Sequence, residues 1–260
     1  MSSSRDRALS ILELLVSHSR GLAMSEIADR LDIPRAATHR VLADLKEMGY
    51  IKQDQRSNLY LLTVKLAALG VGYLGNRGIT DCIQPILEEL AEETGELARL
   101  AIFESQQLIW TSKAQGARSG LRYDPDAGTT VYLPASANGI ALLSALTEEA
   151  ALNLVAAQGL DRLKGMGPNA PKSLRDVIDM IDSARKLGYA AVFESYEAGT
   201  SAVACPIITQ DSFRPVGSVS IAGPSVRMTK EKVESLVPVL IRYRDQLSQL
   251  NSRTKILGDG

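Results

Sequence analysis

The sequence predicts an α+β protein in two parts: a small three-helix head closed by a hairpin, and a larger mixed domain with a largely antiparallel sheet. Three observations predict it. The chain has 260 residues, 45% hydrophobic and 23% charged, a length that suits two cores better than one. Its first 60 residues show helical apolar spacing three times before two short alternating segments. From Ile79 onward, strand-like runs come in adjacent pairs interrupted by helical runs, the order of an α+β domain. The boundaries read as 1–62 for the head, 63–78 for a linker helix and 79–260 for the mixed domain.

In the head, Ala8, Leu9, Ile11, Leu12 and Leu15 give a first helix from about Asp6 to Ser17 an apolar stripe, with Ser4 or Asp6 as its cap. Ser25 to Leu31 makes a short second helix, with Ile27, Ala28 and Leu31 turned inward. Asp32-Ile33-Pro34 is a turn, because proline pushes Ile33 out of the helical region and suits a first helical position. A third helix follows from Pro34 to Met48, burying Val41, Leu42, Leu45 and Met48, with Gly49 as its left-handed cap. Tyr50-Ile51-Lys52 and Leu59 to Leu62 alternate as strands around the turn residues 54–58. This is the plan of a winged helix-turn-helix, whose third helix enters the DNA major groove. Its outward positions are expected to be Arg35, Thr38, His39 and Arg40, types that bond to base edges or phosphates. Lys52 on the hairpin stem, with Arg56 and Asn58 at its tip, suits backbone or minor-groove contacts.

The linker reads as an amphipathic helix on Val64, Leu66, Leu69, Gly70 and Tyr73. It contains a literal G-x-G-x-x-G at Gly70, Gly72 and Gly75, but no strand precedes it, as a dinucleotide site requires. Small residues for close helix contact, between subunits, are the expected use. In the mixed domain, helices are expected at 80–94, 136–146, 148–158, 173–188 and 229–250. Strands are expected at 97–103, 108–112, 189–193, 202–208 and 216–221, with further extended pieces at 122–123 and 130–133.

Composition removes several chemistries. The formal charge is −1, with +1 in the head and −2 in the remainder, so any basic face is local. Between Arg35 and Arg56 five basic residues face three acidic ones. Both histidines, His18 and His39, lie in the head, and Cys82 and Cys205 are isolated. No zinc spacing, redox pair or disulfide framework results, and neither metal nor cofactor is expected. The mixed domain has no histidine, no G-x-S-x-G elbow and no Walker loop, which disfavours Ser/His and Cys/His catalysis. Cys205, in an apolar strand, reads as a buried small residue, and the row Glu88, Glu89, Glu92 and Glu93 as a solvated helix face. MSSSRDRALS lacks an apolar core, and Leu59 to Gly75 contains Lys65 and three glycines. Neither a signal peptide nor a bilayer span is expected, and the cysteine usage fits the cytoplasm.

What the mixed domain offers instead is a helix N-terminus. Tyr132 to Gly139 runs from a strand into a helix, and the amides of Ala137 and Asn138 would point out of its start. Such an end attracts carboxylate or phosphate, although an ordinary capped helix start looks the same.

The ordered set Arg7-Ala8-Leu9-Ser10-Ile11-Leu12, Ser25-Glu26-Ile27-Ala28, Thr38 to Leu45, Gly49-Tyr50-Ile51, Leu187-Gly188-Tyr189-Ala190 and Ser218 to Pro224 resembles the IclR-type family of bacterial transcription regulators over nearly the whole chain. The resemblance implies a homodimer or dimer of dimers on palindromic operator DNA, and a GAF-like effector-binding domain for a small organic acid. It implies effector contacts from the amides of Ala137 and Asn138, apolar walls at Tyr123 and Val131, and facing-strand positions Thr200, Ala202 and Ser220. Two departures stand out: Ile140 follows Gly139 where lysine is frequent, and Val192 stands where an acid is frequent. Both make the pocket more apolar, so a larger, aromatic acid is expected. The alternatives are a small-molecule-transforming enzyme with an N-terminal association domain, and an adaptor that uses the winged helix for protein contacts.

Overall fold

The computed structural model describes residues 3–258 apart from 210 and 212. It forms two compact units, Met1–Arg77 and Gly78–Gly260, each described by itself.

The first unit holds three helices, α1 (Ser4–Val16), α2 (Met24–Arg30) and α3 (Arg35–Glu47), then β1 (Ile51–Gln53), β2 (Tyr60–Leu62) and α4 (Val64–Asn76). The cap of α1 is Ser3, one residue ahead of the expected Ser4. Its hydroxyl accepts from the Asp6 amide at 3.2 Å while Asp6 accepts from the Ser3 amide at 2.8 Å, a reciprocal pair that holds the Asp6 carboxyl below its usual range. Ile11, Leu15, Ile27, Val41, Leu42, Leu45, Ile51 and Tyr60 share one core. Met48 and Leu9, expected inside, are exposed: α3 ends at Glu47 and Leu9 lies on the outer face of α1. The strands β1 and β2 pair antiparallel, and Leu22 bridges to Tyr60 as a third short rung. Thr63 locks α4 to the head, donating to the Gly49 carbonyl at 2.6 Å. The three fingerprint glycines lie inside α4 with nothing within 4 Å of where a Cβ would stand, so no phosphate-cradling turn exists there. No residue of α4 is buried.

The second unit opens with one π-helical turn, Ile79–Ile83, running into α5 (Gln84–Thr94). The expected Thr80 cap is replaced by Gly78 in the left-handed region. Next come β3 (Leu97–Glu104), β4 (Gln107–Gln115), α6 (Ala137–Ser144), α7 (Glu148–Gln158), α8 (Leu174–Leu187), β5 (Ala190–Phe193), β6 (Thr200–Ile208), β7 (Pro215–Pro224) and α9 (Lys230–Thr254). The strands form one antiparallel sheet in the order β4-β3-β7-β6-β5. One sheet face carries α6, with α8 packed against it and against β5. Side chains alternate along β6, so Val203, Cys205 and Ile207 turn to the other face, where α9 packs.

The extended pieces expected at 122–123 and 130–133 are not strands; only Thr130 bridges, to Ile109. The reason is a side chain distant in sequence. Gln158 at the end of α7 donates to the Val131 carbonyl at 2.9 Å and accepts from the Leu133 amide at 2.8 Å, doing for this segment what a neighbouring strand would do. Among the described residues no helix is long and apolar enough to cross a membrane.

Burial pushes the Cys205 thiol up to about 12, whereas Cys82 is exposed. A thiol reagent at mildly alkaline pH should therefore label Cys82 alone in the native chain and both cysteines in denaturant. Two fast-reacting thiols in the native chain would contradict the inward register of β6.

Candidate functional site

The head exposes basic residues both on α3 and on the hairpin. Arg35, His39 and Arg40 lie on the solvent side of α3, and no acidic residue occupies its first turn. Lys52, Arg56 and Asn58 are exposed on the hairpin. The tip is shaped by Asp54, whose carboxylate accepts from the Ser57 amide at 2.7 Å and hydroxyl at 2.6 Å, and by Asn58 in the left-handed region. Those bonds hold the Asp54 carboxyl below its usual range. Thr38 departs from the expectation. It is fully buried, and its hydroxyl donates back to the Pro34 carbonyl at 3.3 Å, so it braces the start of α3 instead of facing outward.

In the second unit a small cavity lies between the start of α6 and the sheet. Seven of the eight positions expected to meet an effector line it: Tyr123, Ala137, Asn138, Val192, Thr200, Ala202 and Ser220. The register explains the convergence. Arg99 of β3 stands opposite Ser220 of β7, and Ala202 of β6 lies between Ala222 and Val192, so one side of three neighbouring strands and the edge strand forms a floor. Val131 is the exception: fully buried, it packs in the core with Leu108 and Leu133 and does not reach the cavity.

The start of α6 is built for close approach. A Cβ on Gly139 would come within 2.4 Å of the Leu133 backbone, so only glycine lets the helix begin against this turn. Ser136 caps the helix by accepting from the Gly139 amide at 3.1 Å. The Asn138 side chain is already engaged. It accepts from the Trp110 indole N–H at 3.2 Å and donates to the Ser218 hydroxyl at 2.9 Å, tying α6 to β4 and β7. What Asn138 can offer a ligand is its backbone, together with that of Ala137, at the positive end of the helix dipole.

Six lining residues were not expected there from sequence, among them Arg99, Trp110 and Tyr196. Arg99 is only 3% exposed, and its guanidinium sits 3.7 Å from the centre of the Trp110 ring. Its Nε and Nη2 have no hydrogen-bond partner. Trp110 meets Tyr196 edge-on, with ring centres 5.7 Å apart. Burial pulls the Arg99 guanidinium down to about 10 and pushes the Tyr123 phenol up to about 12. The signal for Arg99 was present: it is the lone charge inside Leu97 to Phe103, a strand otherwise fully apolar.

Comparison with known proteins follows the same two units. Residues 4–55 match the IclR helix-turn-helix domain, and residues 71–249 match the C-terminal domain of the bacterial transcriptional regulator IclR. The chain belongs to the IclR family. It is 30% identical over 243 residues to the HTH-type transcriptional regulator BhcR of Paracoccus denitrificans, covering 94% of this chain and 85% of that protein. It is 28% identical over 244 residues to the acetate operon repressor of Salmonella typhimurium, covering 93% and 87%. An IclR-type regulator from Alicyclobacillus acidocaldarius superposes with a TM-score of 0.83 at 24% identity, covering 96% of this chain and 98% of that one. An IclR homologue from Microbacterium hydrocarbonoxydans, complexed with 4-hydroxybenzoate, gives 0.75 at 20% identity, covering 96% and 99%. These likenesses establish the fold.

As an IclR-type regulator the chain has a DNA-binding head and a ligand-binding C-terminal domain. Its named relatives are regulators, so the enzyme alternative is set aside. Within that frame Asn138 is a structural keystone. Asn138→Ala leaves the Trp110 N–H and the Ser218 hydroxyl without their buried partner, and should cost about 1–3 kcal/mol in chemical denaturation. Wild-type stability in that variant would mean that the network is not formed.

Proposed function

We propose that this IclR-type regulator binds palindromic operator DNA as a homodimer or dimer of dimers, and that a small aromatic carboxylic acid in the α6 cavity alters its DNA affinity. The observation that carries the sensing half is the single cavity that gathers seven expected effector positions at a helix N-terminus. Aromatic walls from Trp110, Tyr123 and Tyr196 suit a ring. The 4-hydroxybenzoate carried by the Microbacterium homologue is a ligand of this class.

The reading half is supported by the exposed Arg35, His39 and Arg40 on α3 and by Lys52, Arg56 and Asn58 on the wing. A head with a net charge of only +1 gains little from bulk attraction, so pairing two heads is the economical route to affinity. The unit has apolar surface to pair with: Leu9 and Val16 of α1, and Val64, Leu69, Val71 and Tyr73 of α4, are all more than half exposed. An effector can shift DNA affinity only by binding the DNA-competent and incompetent arrangements unequally.

A gel shift on the promoter beside the chain's own gene tests the whole reading. Arg40→Ala should weaken binding by about 1–3 kcal/mol, and Arg56→Ala should lower the salt slope by about one unit. Unchanged binding would remove either residue from the reading face. Benzoate-type acids should change the shift. A response to glyoxylate or pyruvate without one to benzoate-type acids would overturn the aromatic assignment.

A further inference from the structure

The cavity contains a charge that the protein itself does not answer. Arg99 is 3% exposed, and among the described residues no carboxylate pairs with it. The face of its guanidinium is covered by Trp110, but Nε and Nη2, the two donors along one edge, have no partner. Directly across the β3–β7 ladder, the Ser220 hydroxyl is also buried without a partner. The neighbouring polar groups are satisfied: Ser136, Asn138, Ser218 and the Trp110 N–H all bond to one another or to backbone. Among the buried side-chain groups of the cavity wall, the unmet donors are thus on one arginine and the serine facing it.

An Nε/Nη2 edge presents two parallel N–H groups at the spacing of two carboxylate oxygens, the side-on form of the arginine–carboxylate fork. A hydroxyl beside it can donate a further bond. We infer that Arg99 and Ser220 are the receptor for the acid group of the effector, with Arg99 as the residue that makes binding depend on a negative charge. This rests on the α6 cavity being the effector site. The amides of Ala137 and Asn138 are then left for a second polar group of the ligand. At neutral pH Arg99 remains charged even though burial pulls it down to about 10, so the unliganded domain holds an uncompensated cation. A bound acid supplies the missing counter-charge.

The test uses the full chain, with Trp110, its one tryptophan, as reporter of the cavity wall. Emission titrations and thermal midpoints are read for wild type, Arg99→Met and Ser220→Ala, with circular dichroism as the check on folding. The probes are benzoate, 4-hydroxybenzoate, benzamide and inorganic phosphate. Wild type should respond to the two acids and not to benzamide. Arg99→Met should bind the acids about tenfold to a hundredfold more weakly, with an unliganded midpoint equal to or above that of wild type. Ser220→Ala, which removes only a hydroxyl, should weaken them about two- to tenfold and keeps the inference testable if Arg99→Met fails to fold. Acid affinity unchanged in the variants, or benzamide bound as tightly as benzoate, overturns the inference while leaving the effector site in place. Arg99-dependent binding of phosphate with none of benzoate overturns the carboxylate assignment. A wild-type chain whose emission and midpoint no probe moves overturns both the inference and the reading beneath it.

Discussion

A buried guanidinium stacked on a tryptophan sets the terms for the sensor domain. Removing such an ion from water costs several kcal/mol even after relaxation, and a desolvated cation–π contact returns about 2 kcal/mol. Arg99 over Trp110 at 3.7 Å is therefore only partly compensated. The surroundings are arranged to hold it in place. Trp110 is fixed on its face by Arg99, at its edge by Tyr196 and at its N–H by Asn138. Asn138 in turn joins the start of α6 to Ser218 of β7. Helix start, sheet floor and aromatic wall form one hydrogen-bonded frame around an electrostatically incomplete space.

The segment that closes this space is held from outside the cavity. Glu96, almost wholly buried at the start of β3, pairs with Arg227 through bonds of 2.6 and 2.9 Å. The same Arg227 donates to the Leu121 carbonyl at 2.8 Å. Gln115 donates to the Tyr123 carbonyl, and Lys113 reaches Asp124 and the Pro125 carbonyl. Tyr123 is thus delivered to the cavity by a loop pinned at several points along its length. A ligand that neutralises Arg99 has to be accommodated by this framework. A coupling of about 1–3 kcal/mol between its bound and free arrangements is the usual size for allosteric control.

Much of this was legible because local chemistry and fold agree. The turn Asp32-Ile33-Pro34, the left-handed Gly49 and the hairpin residues 54–58 each place an element boundary without tertiary help. The same holds for the Ser136 cap, since a serine before an apolar helix has one obvious use. What was not legible depends on partners distant in sequence. Thr38 reads as an outward polar residue, yet it turns in to bond the Pro34 carbonyl. Residues 130–133 read as a strand, but the backbone partner arrives from Gln158 at the end of α7. Arg99 becomes significant only when register sets it opposite Ser220 and beneath the ring of Trp110. The apolar residues of α4 have the opposite character: their spacing is helical, but no core receives them.

The central claim is that an acid completes the charge at Arg99, and a crystal structure of the chain with benzoate or 4-hydroxybenzoate bound tests it most directly. The account predicts the carboxylate side-on to the arginine, its two oxygens about 2.7–2.9 Å from Nε and Nη2, with the Ser220 hydroxyl donating to one of them. An acid group seated elsewhere in the cavity, with Nε and Nη2 of Arg99 still unpaired, would contradict it.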